Sequence, residues 1–260
     1  MNTLKTAICS SLVAVACLAP SAHAAVVYDL TTSSTVVVNT TYGPAIFTTD
    51  YSQPTGTGVI DPFLSIQANG VEQGYNTSAK HGVFDTKREP QYNHELRLSD
   101  LNAVEINGAQ YYSFVIDINE PNAGTMSLIT LDALQIYSSA KAGQTTRNVE
   151  SLGVKRFDLD LPADSYIRYD DANRGSGQAD IAFFIPVSAF AGVSSTDYIY
   201  MYQKFGMSDS TGITQGGFEE TYSVRVTPIP EVSTMLPLAA VLGAVVGVNH
   251  LRRRRTQTEA

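Results

Sequence analysis

The chain has 260 residues, 43% apolar, 16% charged and 9% aromatic with no Trp, a composition that supports a real core and excludes a disordered chain. Of its 17 basic and 25 acidic residues, Lys5, Arg252 to Arg255, Glu231 and Glu259 lie near the ends, leaving a body with 12 basic and 23 acidic residues, net −11. That surface excludes a nucleic-acid partner gripped through counterion release.

In chain order, residues 1–24 read as a secretory signal peptide. Lys5 supplies its positive start, Ala7 to Ala19 an apolar stretch too short to span a bilayer comfortably, and Ala22 and Ala24 the small side chains at the −3 and −1 cleavage positions. Both cysteines, Cys9 and Cys17, fall within it, so the body has no thiol for a disulfide, a metal or a nucleophile. From Val26 the apolar period is two. Short runs at Val26 to Leu30, Thr35 to Val38, Phe63 to Gln67, Leu96 to Leu98, Tyr112 to Ile118, Leu128 to Tyr137, Ile181 to Pro186, Tyr198 to Tyr202 and Tyr222 to Val226 predict about ten strands. Alternation within them predicts one face on a core and one in water. Asn69-Gly70, Asn107-Gly108, Asn122 to Gly124, Asn173 to Gly177 and Gly216-Gly217 predict turns, and Asn107-Gly108 is the strongest hairpin signal. With no amphipathic helix, the expected fold is all-β, a single jelly-roll-like β-sandwich over residues 25–227.

The tail, 228–260, has three parts. Pro228 to Ser233 resists helix and strand. Met235 to Leu251 is apolar except for Asn249 and His250, and its 17 residues reach the short limit of a single transmembrane helix. Arg252, Arg253, Arg254 and Arg255 then hold the end in the cytoplasm by the positive-inside rule. This layout resembles the PEP-CTERM sorting signal of Gram-negative bacteria. Pro230, Glu231 and Ser233 match its motif, and Val232 stands where a second proline would be. The resemblance implies an exosortase-like processing enzyme as partner, an inner-membrane precursor, and delivery to the cell surface or exopolysaccharide matrix of a biofilm. The alternative for the tail is a plain one-span anchor that is never cut.

Five short body segments also resemble a group of secreted bacterial proteins that often carry this tail, a likeness that implies the cell surface and no activity. They are Gly56 to Phe63, Glu72 to Thr77, Asp117 to Glu120, Gly175 to Gly177 with Asp180, and Gly217 to Glu220.

Candidate chemistry is sparse. There is no Gly-x-Ser-x-Gly elbow around Ser176, and His81 and His94 with Glu95 are too few for a zinc site. Asp158, Asp160, Asp164, Asp170, Asp171, Asn173 and Asp180 supply hard oxygens. Among them Asp170, Asp171, Asn173 and Asp180 are the candidate calcium ligands, although EF-hand spacing is absent and the plain reading is a solvated acidic face. Tyr111, Tyr112, Tyr198, Tyr200 and Tyr202 are candidates for stacking on sugar rings. Asn39-Thr40-Thr41 and Asn76-Thr77-Ser78 fit an N-glycosylation pattern. The expected protein is therefore a non-enzymatic structural component of the surface or matrix, with no required cofactor. The alternatives are a calcium-assisted, lectin-like polysaccharide binder and, third, a polysaccharide-acting hydrolase.

Overall fold

A computed structural model describes residues 25–52, 62–121, 123–171, 179–208, 210–225 and 227–228. The signal peptide, Asn173, the motif Pro230 to Ser233, the apolar span and the Arg cluster lie outside the described residues. The described chain is all-β, with three 3-10 turns of three or four residues and no helix long and apolar enough to cross a membrane.

The strands are β1 (Val26–Asp29), β2 (Thr35–Thr40), β3 (Gly43–Thr48), β4 (Tyr51–Ser52), β5 (Leu64–Ile66), β6 (Asn69–Gly70) and β7 (Glu72–Tyr75). Then come β8 (Leu96–Arg97), β9 (Ala103–Ile106), β10 (Ala109–Ile118), β11 (Leu128–Ser139), β12 (Val154–Asp158) and β13 (Ser165–Asp170). The last are β14 (Ile181–Pro186), β15 (Tyr198–Phe205), β16 (Thr214–Gln215), β17 (Glu219–Ser223) and β18 (Thr227–Pro228). The first large sheet runs β1-β13-β11-β15-β7, with β12 also on β11 and β8 also on β15. The second runs β2-β3-β14-β10-β17-β5, with β9 also on β10. Pairing is antiparallel throughout except for β1 with β13.

Both sheets contribute to one central core. Phe47, Phe63, Phe114 and Phe183 from the second sheet join Leu134, Ile136, Ile167, Met201 and Phe205 from the first. In the second sheet Phe47, Phe183 and Phe114 are cross-strand partners, with stacked rings 5.8 and 5.1 Å apart. Neighbouring side chains on one sheet face meet at this range, and each aromatic pair adds about 0.5–1.5 kcal/mol beyond its buried area.

The Asn107-Gly108 hairpin is present. Asn107 at φ 51° and Gly108 at φ 80° close β9 onto β10, the left-handed pair that a two-residue type I′ turn requires. Three expectations need correction. The outer faces of the long strands are covered instead of solvated: Val115, Phe184, Ala182 and Tyr222 form one outer cluster, and Tyr75, Tyr137, Tyr200 and Leu152 another. Asn69-Gly70 is not a free turn, because it pairs with Thr214–Gln215. Pro228 pairs with Tyr51 at the edge of a two-stranded sheet, where a missing N–H is tolerated.

Candidate functional site: a buried carboxyl cluster

Strand alternation places two glutamates toward the core. Glu219 on β17 stands in register between Ile118 of β10 and Ile66 of β5, both core residues. Glu72 on β7 stands opposite Phe205 of β15, also in the core. Cross-strand partners share a face, so the two acids meet from opposite sheets. Glu120, two residues beyond Ile118, completes the set. Glu72 and Glu219 are fully buried and Glu120 is 5% exposed.

Their contacts are carboxyl to carboxyl, with Glu219 in the middle and touching both neighbours. The outer two are fixed by backbone donors. Ala68 N–H donates to Glu72 Oε2 at 2.7 Å, and Gln215 N–H donates to both oxygens of Glu120 at 3.0 and 2.8 Å. Neither oxygen of Glu219, nor Glu72 Oε1, receives a donor. Among the described residues no Lys, Arg or His pairs with any of the three.

The cluster continues past Glu120. Glu120 N–H donates to Asp171 Oδ2 at 3.3 Å, and Asp171 adjoins Asp180. Ile118 N–H and the Tyr169 hydroxyl donate to Asp180 at 2.7 and 3.1 Å. Asp180 in turn adjoins Asp117 on the outer face of β10.

The electrostatics follow from burial. Burial, then the Glu120 and Asp85 charges, push Glu72 up to about 7 against its contacts with Glu219 and Ala68 N–H. Burial and its two acidic neighbours hold Glu219 well above the carboxylate range. Burial also raises Glu120. Asp171 rises to about 7 through burial and the Asp180 charge, and Asp117 to about 6 through burial and the Glu220 charge. Two ionised carboxylates about 4 Å apart at an effective dielectric near 20 repel by about 4 kcal/mol. Three in a row, the middle one touching both others, therefore bind protons well into the neutral range.

Glu95 shows that burial alone does not decide the sign. Burial pushes its carboxyl up, yet the Ser78 side chain, Gly143 N–H at 2.5 Å and Ser78 N–H at 3.0 Å bring it below its ordinary value, and the Thr77 and Tyr200 hydroxyls also donate to it at 3.4 and 3.3 Å. The Glu219 carboxyl has no such donors.

The predicted calcium ligands are only partly brought together. Asp171 and Asp180 adjoin, while Asp170 accepts from Ser127 Oγ at 2.7 Å. Among the described residues no three or more His, Cys, Asp or Glu form a group ready to hold a metal ion. Strand alternation over Phe157 to Leu161 would set Asp158 and Asp160 on one face as a shared ligand pair, and the fold does not do so. Asp158 pairs with Lys155 at 2.7 Å, β12 ends there, and Asp160 accepts from Ser165 N–H in the following turn. The tyrosines expected to stack on sugars are committed elsewhere. Tyr111, Tyr200 and Tyr202 are buried, Tyr112 packs edge-on against Phe190 at 5.1 Å, and Arg97 covers Tyr198.

Glu72, Glu120 and Glu219 are acids that pattern reading misses as a site. Each belongs to a segment named above for its resemblance, and their convergence depends on pairing between distant strands. The available signal was an acid in register with core residues. No protein-family model, curated protein or solved structure matches the chain.

Proposed function

We propose that the chain is an exported, non-enzymatic structural protein of the cell surface or of an exopolysaccharide biofilm matrix. Its body is a single jelly-roll-like β-sandwich spanning 25–227, delivered by the signal peptide and the PEP-CTERM-like tail. The tail's three-part layout carries this reading: Pro230 to Ser233, the apolar Met235 to Leu251, then Arg252 to Arg255. An exosortase-like enzyme of the inner membrane cuts near Pro230 to Ser233 and releases the body. The non-enzymatic part draws support from burial, since Glu72 and Glu219, two of the carboxyls with raised proton affinity, are fully buried at the core. Intact mass of the protein from membrane, surface and matrix fractions of its own cells tests it. The expected species begins near Ala25, ends near Pro230 to Ser233, and lies outside the membrane. A species ending at Ala260 and confined to the membrane overturns sorting and leaves a one-span anchor.

The adjoining Asp171 and Asp180 carboxyls favour one second reading, a calcium-assisted polysaccharide binder, because calcium takes six to eight hard oxygen ligands. A glycan array run with calcium and with EDTA tests it. Binding that EDTA abolishes supports the reading, and no binding in either condition removes it.

A further inference from the structure

We propose that Glu72, Glu219 and Glu120 form a proton-operated lock between the two sheets, closed by two shared protons and released when alkali removes them. Glu219 touches a carboxyl on either side. Two carboxyl oxygens approach closely only when a proton sits between them, so two contacts take two protons and leave one negative charge on three carboxyls. Backbone N–H groups hold Glu72 and Glu120 as acceptors from outside. The central carboxyl, fully buried and reached by no donor, has only those protons to satisfy its oxygens.

The surroundings supply no substitute. From the first sheet come Glu72 and, beyond β7, Asp85, whose carboxylate accepts from Gln73 N–H at 2.9 Å. Asp171 follows β13 and Asp180 precedes β14. The second sheet brings Glu219, Glu120 and, on its outer face, Asp117 and Glu220. Ile66, Ile118 and Phe205 are apolar. Lys87 lies over the Phe218 ring at 4.0 Å and Lys204 reaches Met207 Sδ, so neither neutralises the stack. Because β7 belongs to one sheet and β17 to the other, ionisation sets like charges against each other across the interface.

The sign is opposite to that of an ordinary carboxylate. An acid held protonated in the fold costs nothing below its unfolded value near 4.5. It costs progressively more as pH rises from there to its folded value, and the cost levels off above it. Stability therefore falls between about pH 4.5 and 7 through Glu72, and beyond that through Glu219. Asp171 and Asp117 add to the same trend, so the test isolates the central acid.

The experiment follows thermal unfolding of the whole chain and of Glu219→Gln in EDTA at pH 5 and pH 8. The wild type is expected to melt higher at pH 5. Glu219→Gln should raise the pH 8 melting temperature by roughly 5–10 °C and move the pH 5 value much less. Glu72→Gln should act in the same direction. Infrared difference spectra should show a protonated carboxyl C=O band in the wild type at pH 7 that weakens in Glu219→Gln. An unchanged or lower melting temperature at pH 5, or no carboxyl band at pH 7, overturns the lock. So does a calcium-induced rise at pH 8 that Glu219→Gln abolishes, which would assign the stack to a divalent cation instead.

Discussion

Asn76 fills what would otherwise be a gap in the ladder of the first sheet. β8 pairs with β15 at Tyr198 and Ile199, and β7 resumes only at Tyr202. Between them Asn76 Nδ2 donates to Ile199 C=O at 2.9 Å and Met201 N–H donates to Asn76 Oδ1 at 2.6 Å, the pattern of a strand residue supplied by an amide. Nδ2 also donates to His94 C=O at 3.2 Å, which ties the β8 segment to β7. Asn76 is fully buried, so the glycosylation pattern at this position is occupied by the fold. Asn76→Ala leaves buried backbone groups without partners and should cost about 2–4 kcal/mol. Urea unfolding checks this, and a loss under 1 kcal/mol would mean that water or a neighbour replaces the amide. The same bookkeeping explains why Glu95 and Glu219, both acids in tight surroundings, shift in opposite directions: one is ringed by donors and the other has none.

Strands were most legible where an apolar run was long and its turn chemistry strong. Ile181 to Pro186 is β14 residue for residue, Leu128 to Tyr137 lies within β11, and Tyr198 to Tyr202 opens β15. β3 and β7 left weaker traces, since Gly43-Pro44 and Glu72-Gln73-Gly74 interrupt the alternation, while β13 alternates regularly but offers only Ile167 and Tyr169 as large core-facing side chains. β7 is the costly omission, because it carries Glu72. Its polar sequence reads as a loop, and it becomes a strand by pairing with β15, so tertiary context overrides local preference. The covered outer faces were hidden for a related reason. Alternation shows which residues share a face but not that loops will close over the second one, as Val83, Phe84 and Leu152 do over Tyr75, Tyr200 and Tyr202. The carboxyl stack was illegible because it joins positions 72, 120 and 219, and only strand pairing brings such distances together.

At the scale of the whole molecule, stability rests on strand pairing and core packing without covalent help, as both cysteines precede the body. The C-terminal part of that body is not expendable. β17 pairs with β10 on one side and β5 on the other, and brings Thr221 and Tyr222 into buried positions as well as Glu219. β18, ending at Pro228, pairs with β4. The proposed cut near Pro230 to Ser233 would thus fall just beyond the last described strand and leave every described pairing on the body. A fragment of residues 25–230 should therefore unfold cooperatively, within roughly 2 °C of the full chain in detergent, and dithiothreitol should not change its melting temperature. A fragment ending at Ile213 leaves the β10 edge and β5 without their partner and exposes core from both sheets. It should show no cooperative transition, because a buried strand joining two others cannot be lost locally. A cooperative melt of the shorter fragment at the same temperature would show that β17 is peripheral, and with it that Glu219 does not lie between the sheets.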